Sequence, residues 1–159
     1  MKSPIEKTIM ELKTENLTIR PAQISEMEEM IAAEPDEGLR AAYTEMLTLA
    51  REHPEKYEWY IAWQFIMDGN VIGDACFKGI ENGVTEIGYG IKGGFEGRGY
   101  TTQAVRALTQ WAFDNGADVV EAETDPDNAA SQRILQKLGF LPTGKMGEEG
   151  PRFALKKHC

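Results

Sequence analysis

The chain has 159 residues, a formal net charge of −9 at pH 7 and 42% hydrophobic residues, enough apolar material to fill the core of one domain without a disulfide or metal staple. Its acidity excludes a general nucleic-acid binder, which needs clustered Lys and Arg against phosphate, and no stretch approaches the roughly 18 apolar residues of a membrane span. Two cysteines in unlike contexts, Cys76 and Cys159, no Cys/His cluster at zinc spacing, and an N-terminal segment without an apolar signal-like core lead us to expect a soluble cytoplasmic protein that binds no metal.

The first predicted element is a short strand, Leu17-Thr18-Ile19-Arg20, closed by Pro21. Ile24, Met27, Met30 and Ile31 then recur at helical spacing until Pro35, and Leu39, Tyr43, Met46, Leu47 and Ala50 mark a second helix ending near His53-Pro54. The run from Trp59 to Met67 is dense in aromatic and β-branched residues. The turn Asp68-Gly69-Asn70 joins it to Val71–Phe77 as a hairpin, and Glu81-Asn82-Gly83 leads into a third strand, Val84–Ile91. From Gly99 to Asn115 one apolar stripe (Ala104, Val105, Leu108, Trp111, Ala112) predicts a helix stopped by Gly116. Val119–Thr124 is a strand, a helix carrying Ile134, Leu135 and Leu138 starts at Asp127 or Asn128, and two strands fill Phe140 to Leu155. The fold class is therefore α/β (α+β), a mixed and mainly antiparallel sheet flanked by helices. The strands on either side of the Gly99–Asn115 helix should be parallel, because a helix crosses between them.

Chemistry concentrates in Gly94-Phe95-Glu96-Gly97-Arg98-Gly99-Tyr100, a glycine-rich loop that opens into a helix. Free backbone N–H groups and the positive end of the helix dipole can hold phosphate there, although many such loops are plain turns. A Walker loop would need Gly-Lys-Ser/Thr, where Gly-Tyr-Thr stands. A dinucleotide site would need a parallel βαβ repeat, where three antiparallel strands precede.

Three blocks taken in order sharpen the reading: Glu86-Ile87-Gly88-Tyr89, Gly97-Arg98-Gly99-Tyr100-Thr101-Thr102-Gln103-Ala104-Val105, and Asn128 through Ser131 and Leu135 to Gly139-Phe140. Together they resemble the GNAT superfamily of acetyl-coenzyme A-dependent N-acetyltransferases, above all its branch of ribosomal-protein N-terminal acetyltransferases, over about residues 16 to 157. The resemblance implies a GNAT-like fold. It implies that the amides of Gly97, Arg98, Gly99, Tyr100, Thr101 and Thr102 hold the coenzyme pyrophosphate. Main-chain groups at Ile91 and Lys92 would pair with the pantetheine arm and the acetyl carbonyl. Gly94 stands where the family carries Gln or Arg, which weakens one contact. Asn128 matches the asparagine that contacts pantetheine, and it also suits a helix N-cap.

Amide formation needs a neutral amine, yet amines titrate near 10.4 on lysine and 7.7 to 8.0 at an N-terminus in model peptides. Glu86 matches the position of a catalytic glutamate in several family members, and a solvated strand residue is the plain alternative. The family's thiolate-protonating tyrosine falls on Leu135, which has no proton to give. Ser131 matches a serine of this branch that can hydrogen-bond the sulfur, and Tyr89 can line the acetyl tunnel or the core. Trp59, Tyr60 and Trp63 can wall the acceptor site but fit core packing as well. His53 reads as structural and Cys76 as a small buried residue. The expected activity is direct acetyl transfer to a primary amine of a small molecule or peptide. Ribosomal N-termini, polyamines, antibiotics and small amines all remain open as acceptors, a homodimer is implied by the resemblance alone, and a coenzyme-binding module without turnover is the competing class.

Overall fold

Eight strands assemble into one sheet in the computed structural model, which describes residues 10–158; Cys159 and the first nine residues of the N-terminal segment lie outside that range. The strands are β1 (Leu12–Lys13), β2 (Thr18–Pro21), β3 (Trp63–Met67), β4 (Asn70–Phe77), β5 (Val84–Ile91), β6 (Val119–Glu123), β7 (Leu141–Met146) and β8 (Pro151–Lys156). They are ordered β1-β2-β3-β4-β5-β6-β8-β7. All pairs are antiparallel except β5 with β6, as the crossing helix requires. The helices are α1 (Ile24–Ala33), α2 (Glu37–Glu52), α3 (Tyr100–Asp114) and α4 (Ala129–Lys137).

Local chemistry sets the helix ends. The Gln23 N–H donates to Glu26 Oε1 at 2.9 Å at the start of α1, the Asp36 side chain accepts from the N–H groups of Gly38 and Leu39 at the start of α2, and Asn128 accepts from the Ser131 N–H at the start of α4. α3 differs. Its N-cap is Gly99, in the left-handed region at φ +83, and among the described residues no side chain caps its first-turn N–H groups.

Strand alternation divides the sheet into two faces. Ile87 on β5, Ala75 and Phe77 on β4, and Val120 and Ala122 on β6 join Ala104, Val105 and Leu108 of α3 and Leu135 of α4 in the larger core. A smaller cluster forms where Met27, Tyr43, Leu47 and Ala50 of α1 and α2 meet Ile61 and Ala62. The α1/α2 side of the sheet therefore receives Gln64, Asp74, Cys76, Glu86, Gly88 and Gly90.

Two expectations change. Residues 59–62 are not strand: a 3-10 segment runs from Pro54 to Trp59, and the N–H groups of Tyr60 and Ile61 both bond the Tyr57 carbonyl. The aromatic density that suggested a strand serves packing instead. Trp59 and Trp63 lie 4.8 and 4.9 Å from Trp111 between ring centroids, in the buried core rather than along an acceptor wall, and Tyr60 stacks on His53 at 4.6 Å. The two-residue β1, too short to show alternation, is a strand that the pattern does not reveal.

Candidate active site

The sheet opens at β5. Pairing with β6 covers only Val84↔Val119 to Glu86↔Glu121, whereas β5 continues along β4 as far as Ile91. Beyond Glu86, then, one edge of β5 has no strand beside it among the described residues. The alternation of an antiparallel ladder says which groups face the opening. Gly90 lies opposite Asp74 and the Lys92 N–H bonds the Ile72 carbonyl at 2.7 Å, so residues 90 and 92 turn toward β4. Tyr89 and Ile91 turn their N–H and C=O groups into the opening. Of the two expected pantetheine positions, Ile91 presents its main chain, while Lys92 has its N–H on Ile72 and its carbonyl on the Phe95 N–H.

The exposed loop from Gly93 follows immediately and ends at the uncapped start of α3. Gly97 and Gly99 have φ of +73 and +83, and Gly94 has φ +96. The last value gives a local reason for the departure at Gly94, since Gln or Arg would be strained in that conformation. The side chains of Thr101 and Thr102 are buried, which leaves their amides, together with that of Tyr100, as the groups the helix end can offer.

Across the opening, the Tyr89 hydroxyl and Ser131 Oγ lie 2.9 Å apart. Burial raises the Tyr89 hydroxyl above its ordinary value, with the Ser131 bond partly offsetting it, so it is protonated at neutral pH. Leu135, where the resemblance places the family's tyrosine, is wholly buried in the core. The sequence pointed to Ser131 and Tyr89 separately; their pairing depends on the approach of α4 to β5, which no spacing encodes. Asn128 is the N-cap of α4, as its plain reading required.

Glu86 lies on the other face, in a cluster of charges. Its Oε1 accepts from Arg152 Nη2 at 2.9 Å and its Oε2 pairs with Lys78 Nζ at 3.0 Å. The same guanidinium bonds Glu121 at 3.0 Å and Glu123 at 2.5 Å. Arg152 was not singled out from the sequence, because it lies 66 residues from Glu86 on a strand with no motif.

Beside this cluster a cavity of about 680 Å³ separates α1 and α2 from β3, β4 and β5. Asp74 lies in its lining and accepts from the Tyr43 hydroxyl at 2.6 Å. Burial raises the Asp74 carboxyl above its usual value, Tyr43 and Lys92 pull it back, and Glu34 adds to the rise. Burial, then Asp74, also raises the Tyr43 hydroxyl strongly. Cys76 is a free thiol pushed up to about 11, first by burial and then by Asp74, which excludes an activated nucleophile at neutral pH.

The family model described as an acetyltransferase (GNAT) domain matches residues 16–141. The chain belongs to the GNAT acetyltransferases. It is 32% identical over 92 residues to the uncharacterized N-acetyltransferase YjdG of Bacillus subtilis (strain 168), a match covering 55% of each chain. To the probable N-acetyltransferase YjcK of the same organism it is 28% identical over 157 residues, or 84% of each chain. The chain thus spans only about half of YjdG, and 43% of the N-acetyltransferase p20 of Bacillus licheniformis. Among solved structures, RimL, a ribosomal L7/L12 alpha-N-protein acetyltransferase, superposes with a TM-score of 0.74 at 17% identity, over 95% of this chain and 96% of that one. RimJ of Mycobacterium smegmatis, in complex with CoA-disulfide, gives 0.68 at 18%, over 88% and 81%. At these identities the likeness shows the GNAT fold. No helix among the described residues is long and apolar enough to cross a membrane.

Proposed function

We propose that this GNAT protein transfers the acetyl group of acetyl-coenzyme A to a primary amine by direct attack within a ternary complex. The observation that carries the reading is the unpaired edge of β5 at Tyr89 and Ile91, which runs into the uncapped start of α3. A main-chain edge suits an extended arm that carries amide groups, and an uncapped helix start suits phosphate. When bound, acetyl-coenzyme A supplies an activated thioester. The amides of Gly97, Arg98, Gly99, Tyr100, Thr101 and Thr102 then hold its pyrophosphate, and the Ile91 main chain orients the acetyl carbonyl.

The Tyr89–Ser131 hydroxyl pair takes the place of the tyrosine lost at Leu135 and donates a hydrogen bond toward the departing sulfur. A thiolate with an ordinary pKa near 8.5 leaves fairly well, so a hydrogen bond is sufficient. Glu86 accepts the amine proton, either through a water molecule or after exchanging Lys78, the more exposed of its two cationic partners, for the substrate. Acetyl-coenzyme A incubated with a panel of amines should release free thiol. If calorimetry found the coenzyme bound but no amine gave thiol, transfer would be refuted.

A second reading, a coenzyme-binding module without turnover, draws on the burial of Leu135 and the double ion pairing of Glu86. It predicts that same outcome, binding without thiol release.

A further inference from the structure

Two polar side chains in the cavity, one buried and one half-buried, have no place in the mechanism above. Gln64 on β3 is only 5% exposed; among the described residues its Oε1 has no hydrogen-bond partner, and its Nε2 reaches only the soft sulfur of Met30 at 3.7 Å. Asp74 is its direct cross-strand neighbour, and Gly90 of β5 lies opposite Asp74 in turn, so the three form one row across the sheet. A buried acceptor atom without a donor is costly and unusual in folded proteins. Here it borders a cavity of a size suited to small molecules.

The polar atoms that this row leaves to be satisfied are acceptors, Gln64 Oε1 and the Asp74 carboxylate. Tyr43 already directs its hydroxyl hydrogen at Asp74 Oδ2, and none of the ion pairs among the described residues involves Asp74. An ammonium group, with three donors and no acceptor, is the complement of such a lining. The remaining wall is mainly apolar, with Met30, Leu39 and Met46 from the helices, and also carries Glu34 and Lys92. On the floor, a Cβ added at Gly88 or Gly90 would meet nothing within 4 Å, so the space beside Asp74 is open up to the β5 backbone.

We propose that Asp74 and Gln64 bind the amine of the acceptor, and that the acceptor is a small cationic amine on a short apolar chain. The inference rests on the acetyl-transfer reading and adds to it the substrate class and two specificity-determining residues. Directly opposed strand residues stand about 4.5–5.5 Å apart at Cβ, which puts an amine held by Asp74 next to Gly90 and Ile91, where the acetyl carbonyl is oriented. That amine is about 13 Å along β5 from Glu86, so its proton passes to Glu86 through a file of waters over the open floor at Gly90 and Gly88. Asp74 binds as the carboxylate. The titratable and charged groups facing it are Tyr43 of α2, Glu34 at the end of α1, Cys76 of its own strand and Lys92 after β5. Acidification protonates Asp74 and weakens amine binding.

The experiment measures thiol release by the full chain at saturating acetyl-coenzyme A, with n-butylamine and with a short peptide bearing a free N-terminal serine. Wild type is expected to use butylamine. Asp74→Asn should raise the butylamine KM at least about tenfold, as loss of one charged hydrogen bond gives, while kcat and the KM for acetyl-coenzyme A hold. Gln64→Leu should raise it less. Butylamine stays cationic from pH 5 to 8, so the KM ratio of Asp74→Asn to wild type should shrink as pH falls. Tyr43→Phe keeps the carboxylate and should leave the KM equal or lower, and unchanged acetyl-coenzyme A affinity in each variant certifies the fold. An unaltered KM in Asp74→Asn, or a wild type that acetylates the peptide and never butylamine, overturns the proposal while acetyl transfer stands. Should no amine release thiol, it is transfer that fails. Calorimetry of butylammonium on the coenzyme-loaded protein then decides the subsite, with weaker binding in Asp74→Asn supporting it and no binding to wild type overturning it.

Discussion

The two faces of the sheet build their halves of the site from different material. On the α3/α4 side the proposed recognition groups are main-chain amides and carbonyls, at Ile91 on β5 and at the start of α3, supported by glycines with positive φ. On the α1/α2 side the proposed groups are side chains, Glu86, Asp74 and Gln64, brought from three strands, the two carboxylates held by partners far away in sequence. A main-chain site tolerates side-chain exchange but not a change in backbone conformation. A side-chain site does the reverse, so the same kind of substitution should act differently on the two faces.

The largest effect is expected on the side-chain face. Glu86→Gln keeps the shape and should leave coenzyme affinity unchanged while lowering turnover by roughly a hundredfold. The deficit should narrow toward high pH, as the neutral amine becomes abundant in solution; an equal rate from pH 6 to 9 would give Glu86 a structural role only. On the main-chain face, Gly99→Val should weaken acetyl-coenzyme A binding about tenfold or more. No neighbouring atom obstructs a Cβ there, so the cause is about 1–3 kcal/mol of strain at φ +83 rather than a clash. Calorimetry showing native affinity would put the phosphates elsewhere. Ser131→Ala should cost turnover several-fold at unchanged coenzyme KM, since one neutral hydrogen bond contributes about 0.5–1.5 kcal/mol. Smallest of all, Arg98→Ala should change coenzyme affinity by less than about threefold, because an exposed charge near phosphate contributes little. A larger loss would break the contrast between the faces.

Stability sharpens the contrast from another direction. Burial raises the folded carboxyl of Asp74 above its ordinary value of 3.8. Its protonated form therefore favours folding below that value, and this contribution is lost as pH rises through the folded value. At pH 7 the ionised group is a net cost, so Asp74→Asn should melt at the same or a higher temperature than wild type, with the gap closing toward pH 4. A lower melting temperature at pH 7 would show that the Tyr43 bond outweighs burial.

The difference between the faces also explains how much could be read from the sequence. The glycine loop and α3 are contiguous, and their chemistry depends on backbone conformation, which glycine spacing and an apolar stripe announce directly. The hairpins and the parallel β5–β6 pair were legible for the same reason, through turns and a crossing helix. The cavity was not, because Gln64 and Asp74 become neighbours only through β3–β4 register, and Tyr43 reaches Asp74 across 31 positions. Nor does any residue pattern announce that β8 inserts between β6 and β7. The strand misplaced at residues 59–62 shows a limit of composition: aromatic density marks a segment that packs, and only periodicity says in what conformation.

That insertion of β8 bears on how the chain matures during synthesis. Glu86, Glu121 and Glu123 are all made before Arg152, so a nascent chain that already holds β5 and β6 carries three crowded carboxylates and an unpaired strand edge. The Arg152 guanidinium and the edge of β8 relieve both at once. Closure of this part of the sheet is thus a late event tied to the emergence of β8, and until then the growing polypeptide presents a template on which a chaperone or a neighbouring nascent chain could pair.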